Sequence, residues 1–385
     1  MSAVLTRFKR IAARHESPQE RAFDWLAAAH VAAEKSRRGS AQAFDLEGFQ
    51  ARMRKSLARF GCGPERISKR GHELDDFLHL DWRKMRLFNL EKNPEGADIG
   101  ERTRFQEECT DRVFDELYSE TDTAPDDIVH ATCTAYAAPS SAQKLASRRG
   151  WGRRTTVTHA YHMGCMAAFP AVRMAAGFLA CSARKRRADI VHTELCTLHL
   201  NPGDHSPEQL VVQTLFADGM IAYSALPREE FARLGLPGLE ILALEEQILP
   251  DSIDSMGWRP SSWGMRMNLS RDVPVRIGKA IGGFLGELLR KASLDLSKEK
   301  GAAVFAVHPG GPKVLDFAQA GIGLDDAQLF ASRKVLFERG NMSSATIPHI
   351  WREIVDAPDI GMGALVISVA FGPGLTVGGA VMRKV

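Results

Sequence analysis

A series of short, almost wholly apolar runs, each followed by a helical stretch, narrows the fold of this chain more than any other feature. "IVHATCTAYA" (128–137), "TTVTHAY" (155–161) and "ADIVHTELCTLHL" (188–200) lack the apolar/polar alternation of a strand with one wet face. Such strands are buried on both sides, as happens where helices cover both faces of a sheet. "GMIAYSAL", "LEILALEEQIL" and "AAVFAVHP" continue the series, and "GALVISVAFGPGLTVGGAVMRKV" closes it as two strands joined at Gly372, Pro373 and Gly374. The run after Cys165, "PEQLVVQTLF", "VPVRIGKAIGGFLGELLRKA", "PKVLDFAQAGI" and "NMSSATIPHIWREIV" read as the intervening helices. Alternation of this kind predicts a layered α/β core.

The first 120 residues read as mostly helical. "SPQERAFDWLAAAHVAAEKSRR" offers a Ser cap and a first-turn Pro, and "LEGFQARMRKSLARF" and "RTRFQEECTDRVFDELYSE" share its periodicity. A loop-rich stretch from Pro227 to Gly238 divides the chain into halves, 1–235 and 236–385, without a repeat in residue identity. A net charge of +3 over 385 residues gives no case for nucleic-acid binding. The six cysteines have no CxxC or Cys/His zinc spacing, so no metal site is expected and reduced thiols in a cytoplasm are the default. The opening 20 residues hold no signal-like apolar core, and the apolar stretch 163–182 carries Pro170 and Arg173, so stable membrane insertion is not expected.

Three residues carry candidate chemistry. Cys165 follows Gly164 at the start of a helix, where a macrodipole lowers a thiol's pKa; the alternative is a small packing thiol. His308 ends an apolar strand on a glycine-rich turn, either facing a cavity or satisfying local hydrogen bonds. Asn341 follows Gly340, as an oxyanion donor or as a helix cap. Together they are the parts needed for thioester chemistry.

"HMGCMAAFPAVRMAAGFLA", "LVVQTLFADGMIAYSAL", "FAVHPGGPKVLD", "RKVLFERGNMSSAT" and "FGPGLTV" resemble, in order and separation, the landmarks of type III polyketide synthases, the chalcone/stilbene synthase-like family. The resemblance runs from about residue 125 to the C-terminus, with "GNMSSA" and "GPGLTV" its most specific parts. It implies a thiolase-like fold of five αβαβα layers built from two related halves, and a homodimer. It implies an acyltransferase that loads an acyl group from coenzyme A, extends it with malonyl-CoA by decarboxylative condensation, and cyclises the product without a metal or redox cofactor.

By motif position Cys165 is then the nucleophile, His308 its partner and Asn341 the second oxyanion donor. Phe216 and Met267 fall at gatekeeper-like positions between coenzyme A tunnel and cavity. Cys133, Cys196, His199, Ser343 and Gly374 fall at substrate-cavity positions, and Ala138 where plant relatives reach into the partner's site. Arg54, Lys55 and Arg59, with Arg52, are candidates for the coenzyme A phosphates. "ELCTLH" looks more like bacterial alkylresorcinol and alkylpyrone synthases, which implies fatty acyl starters. The "AAFP" after Cys165 departs from the plant pattern; Phe169 and Pro170 are expected to kink the helix and reshape the cavity floor. A carrier-protein-dependent ketosynthase and a non-catalytic thiolase-fold subunit are the alternatives.

Overall fold

The computed structural model describes residues 3–39, 45–120 and 122–385. The first half contains β1 (Ala3–Ile11), β2 (His15–Pro18), α1 (Gln19–Arg38), α2 (Leu46–Phe60), β3 (Lys69–His72), α3 (Ile99–Leu117) and β4 (Asp127–Thr132). It continues with α4 (Ser141–Arg148), β5 (Thr156–Tyr161), α5 (Ala168–Ala180), β6 (Ala188–Leu195), α6 (Pro207–Leu215), β7 (Asp218–Pro227) and α7 (Arg228–Ala232). The second half contains β8 (Gly238–Ile248), β9 (Met256–Pro260), β10 (Met265–Leu269), α8 (Val273–Lys291), α9 (Leu296–Glu299) and β11 (Val304–Val307). After these come α10 (Pro312–Ile322), α11 (Phe330–Arg339), α12 (Thr346–Asp356), β12 (Leu365–Gly372) and β13 (Thr376–Lys384).

The nine-stranded sheet runs β11-β12-β13-β8-β1-β7-β6-β4-β5. Its two sides have the same plan. β4 and β6 are parallel, β6 and β7 antiparallel, β7 and β1 antiparallel. Likewise β11 and β12 are parallel, β12 and β13 antiparallel, β13 and β8 antiparallel. The two halves are thus related in topology although not in residue identity, and β1 pairs with β8 at the seam.

Helix α5 packs on β4, β6 and β7 and also on β8 and β13; α12 packs on β1, β7, β8 and β11. These two helices form the middle layer, with Phe169 set edge-on to Trp351 at 5.8 Å. α3 contacts β1 and β6 in the first half, and α8 contacts β8 and β13 in the second, with α10 packed on α8. The fold is therefore α/β and thiolase-like, as expected. Local signals agree with it: Asp45 caps α2, Ser140 and Gln143 form a capping box on α4, and α10 runs from Pro312 to a left-handed Gly323.

Several expectations need correction. The N-terminal region is not only helical, because β1 lies in the middle of the sheet; Arg7, Lys9 and Arg10 interrupt its apolar pattern. Ser17 does not cap α1; it lies in β2 and its hydroxyl bonds the His72 ring at 2.8 Å. β5 is an edge strand and only partly buried. β4 and β6 stop before Cys133 and Cys196, which sit on turns beyond them. Pro170 falls in the first turn of α5, where its missing N–H has no carbonyl partner to lose, so it gives no cause for a kink.

Candidate active site

Two strand-to-helix junctions and one helix-to-helix turn build the site. After β5, Gly164 at φ +74° turns the chain into the short 3-10 segment Gly164–Met166, which leads into α5. A Cβ on Gly164 would lie 2.2 Å from Pro373 Cδ, so only glycine lets this turn pack on the β12–β13 connection. Cys165 is thereby held at the head of α5, 9% exposed, with its thiol 3.8 Å from Ser343 Oγ.

His308 directly follows β11, and its N–H extends the parallel ladder to Val369 O at 2.8 Å. The ring is buried, yet neither ring nitrogen has a hydrogen-bond partner among the described residues. A buried imidazole left open on both sides is costly unless a ligand or reacting group completes it.

Asn341 follows the left-handed Gly340 that ends α11. Its backbone bridges to the end of α6: Asn341 N donates to Leu215 O at 3.0 Å and Ala217 N to Asn341 O at 2.9 Å. The side-chain Oδ1 accepts from Ser343 N at 2.9 Å and from Thr346 Oγ1 at 3.4 Å. A backbone N–H can only donate, so this contact fixes the amide orientation and leaves Nδ2 as the free donor. Asn341 does not cap α12, which starts at Thr346 after a 3-10 turn.

The three residues line one cavity of about 820 Å³. At its inner end Cys165, Phe216, Met256 and Met267 also border a second chamber of only about 40 Å³. Cys133, Cys196, His199 and Ser343 face that chamber, with Thr134, Trp258 and Pro373. Gly374 does not line it; at φ +66° it shapes the turn that presents Pro373. Phe169 lines neither space but is 1% exposed against Trp351, so "AAFP" belongs to the middle layer and not to the cavity floor.

His199 is a strut: Nε2 bonds Thr134 O at 2.7 Å and Nδ1 accepts from Met265 N at 3.0 Å. With both nitrogens committed, burial pushes its pKa down to about 3.

Burial dominates the electrostatics of the pair as well. It pushes the Cys165 thiol up to about 12, although Ser343 and Asn341 act the other way, and pushes His308 down to about 3. Burial thus favours the neutral thiol and the neutral imidazole in the resting site. The lowered thiol pKa expected from a helix start is outweighed by desolvation.

Of the expected cations, only Arg59 reaches the cavity; Arg54 pairs with Asp24 at 3.0 Å, Arg52 with Asp45 at 3.9 Å, and Lys55 does not line it. Arg66, Arg271 and Lys313 join Arg59 at the rim, and none of the four has an ion-pair partner among the described residues. Lys313 lies within the quoted "FAVHPGGPKVLD", but nothing in the sequence marked it, Arg66 or Arg271 as a rim cation.

Two buried ionic groups were also missed. Arg70 donates to Phe216 O at 2.6 Å and Gln213 O at 2.9 Å, capping α6 and fixing the Phe216 backbone. Glu194, fully buried, accepts from Cys133 N at 2.9 Å and from Ser344, tying two of the site's turns together. Burial raises its pKa.

Residues 240–385 match the family described as chalcone and stilbene synthases, C-terminal domain. "Probable polyketide synthase 1" of Dictyostelium discoideum is 30% identical over 262 residues, 67% of this chain but 8% of that protein's length. "Type III polyketide synthase pspB" of Penicillium soppii is 25% identical over 323 residues, 76% of this chain and 80% of that one. The C-terminal type III polyketide synthase domain of Steely1 from Dictyostelium superposes with a TM-score of 0.78 at 21% identity, covering 100% of both chains. PKS-I from the brown alga Ectocarpus siliculosus gives 0.83 at 20% identity, covering 100% and 98%. The tetrahydroxynaphthalene synthase of Streptomyces coelicolor gives 0.76 at 21%, covering 99% of each. The resemblance read from the sequence holds, by family over the C-terminal part and by fold throughout.

Proposed function

We infer that this chain, a member of the type III polyketide synthase kind by sequence and fold, is a decarboxylating acyltransferase that extends an acyl thioester with malonyl-CoA. The observation that carries the reading is the meeting of Cys165, open-sided His308 and the free Asn341 Nδ2 in one cavity whose rim holds four unpaired cations. Those cations suit the phosphates of coenzyme A.

In this reading the Cys165 proton passes to His308, the thiolate attacks the acyl-CoA carbonyl, and the CoA thiolate leaves with that proton. Malonyl-CoA then loses CO2. The enolate oxygen left behind accepts from neutral His308 and from Asn341 Nδ2, a stabilisation present as charge develops. The enolate carbon attacks the Cys165 thioester, the C–S bond breaks, and the longer β-ketoacyl-CoA forms as the Cys165 thiolate leaves and takes up a proton from solvent. No metal or redox group is called on, because decarboxylation supplies the carbanion.

The inner chamber speaks to the starter. At about 40 Å³ it holds a few water-sized groups, since one water needs roughly 10–15 Å³. That small volume favours a short starter over the fatty acyl starter expected from "ELCTLH". A short acyl starter, few extensions and a small pyrone or resorcinol-type product are the better reading, in a homodimer.

The test is direct. Purified protein is incubated with CoA thioesters of graded acyl length and malonyl-CoA, following acyl-Cys165 by mass spectrometry and CO2 release. Acylation and decarboxylation that fall off with length support the proposal. Preference for a long chain overturns the short-starter reading; strict dependence on a carrier protein, or no turnover, overturns the rest.

A further inference from the structure

Three of the six cysteines, Cys133, Cys165 and Cys196, face the same small chamber, and the proposed reaction uses one of them. Cys133 is placed against the nucleophile's own turn. Its Sγ accepts the amide N–H of Gly164 at 3.1 Å, one residue before Cys165. The Ser343 hydroxyl lies 3.8 Å from the Cys165 sulfur and also borders Cys133. Two thiols thus flank one hydroxyl beside an open volume. Cys196 sits on the separate turn Cys196–His199 and makes no hydrogen bond to the 164–166 turn among the described residues.

We propose that Cys133 and Cys165 are a reversible oxidation pair, closing to a disulfide under peroxide and thereby shielding the nucleophile from irreversible oxidation. The two sulfurs differ in access, which sets the order of events. Cys165 borders the wide cavity that opens at the Arg59 rim, so a water-sized peroxide meets it first. Cys133 lines only the chamber behind it.

The Cys165 sulfur attacks one peroxide oxygen as its thiol proton passes to the departing oxygen, the O–O bond breaks, and Cys165 sulfenic acid and water result. The Cys133 sulfur then attacks the Cys165 sulfur, the S–O bond breaks, and a second water leaves with the Cys133 proton. Two electrons have passed from two thiols to one peroxide. An added dithiol reverses the step by exchange, itself becoming a disulfide and returning a proton to each cysteine. Closure needs side-chain rotation into the chamber to bring the sulfurs to about 2 Å. Without a resolving thiol, sulfenic acid proceeds to sulfinic and sulfonic acids that a dithiol does not reverse.

The experiment treats the full chain with stoichiometric hydrogen peroxide, blocks free thiols, and maps peptides by mass with and without dithiothreitol. The expected result is a linked pair of peptides containing Cys133 and Cys165, two hydrogens lighter than the reduced pair and lost on dithiothreitol. Cys196→Ala should keep the link. Cys133→Ala and Cys133→Ser should lose it and carry two or three added oxygens on Cys165. Sulfinic acid on Cys165 of the unaltered protein without a link, a Cys165–Cys196 link, or unreacted Cys165 would each overturn the pair. The readout is covalent, so it stands whether or not polyketide synthesis is found.

Discussion

Gly164→Ala tests most directly how the fold presents Cys165, the proposed nucleophile. An alanine at φ +74° pays a backbone cost of roughly 1–2 kcal/mol. Its Cβ would also sit 2.2 Å from Pro373 Cδ, against 3.4–4 Å for ordinary contact, so one of two packed turns must move by more than an ångström. Overpacking of that kind adds about 1–3 kcal/mol. The Gly372–Gly374 connection has little room to give, since a Cβ on Gly372 would itself meet Met166 Cγ at 2.6 Å. The Cys165 turn is therefore what shifts, and about 1 Å of misplacement lowers turnover about a hundredfold. Denaturant unfolding should show a loss of roughly 2–5 kcal/mol, and malonyl-CoA decarboxylation should fall about a hundredfold. Gly283→Ala is the control: it is helical, a Cβ there has nothing within 4 Å, and it should gain about 0.5–1 kcal/mol. A Gly164→Ala protein with unaltered stability and decarboxylation within a few-fold of the parent would show that this turn does not set the nucleophile.

Asn341→Ala removes the Nδ2 donor, and decarboxylation should drop about 10²–10³-fold while Cys165 still accepts an acyl group from its CoA thioester; equal loss of both steps would contradict the role given to the amide. Replacing Arg271 and Lys313 by serine should raise KM for CoA thioesters several-fold with little change in kcat; an unchanged KM would remove the rim from phosphate binding. Stability should fall steeply below pH 6.5. Burial holds His30 and His72 near pKa 4 and His130, His192, His199, His308 and His349 near 3, against 6.5 when unfolded. Between those limits the unfolded chain binds more protons, so each ring removes up to about 1.4 kcal/mol per pH unit of acidification. Asp218, raised by burial to about 7, has the opposite sign and weakens the fold as pH rises through that value. A stability profile flat from pH 7 to 5 would contradict this balance.

The layered α/β fold was legible because strands covered on both faces must be apolar throughout, and such runs are hard to mistake. β1 was not legible. Its charged residues look like solvated surface, and its place between β7 and β8 comes from distant partners that no local window contains. The short hairpin β9–β10 escaped for a similar reason, with Arg259, Arg266 and Asn268 in its five-residue strands.

The site divides the same way. Sequence motifs alone named Cys165, His308 and Asn341 as candidates, since each sits on a turn beside the glycine that shapes it. Only the tertiary structure shows how burial acts on Cys165 and His308, because desolvation depends on everything packed around a group and opposes the helix-start argument for Cys165. It alone moved Phe169 from cavity wall to middle layer, exchanged Arg54 and Lys55 for Arg66, Arg271 and Lys313 at the rim, and set Cys165 between a chamber of about 40 Å³ and a cavity of about 820 Å³. Chemistry is carried by residue type and local turn geometry, which are written in order along the chain; volume, burial and charge at a rim are sums over residues far apart in that order.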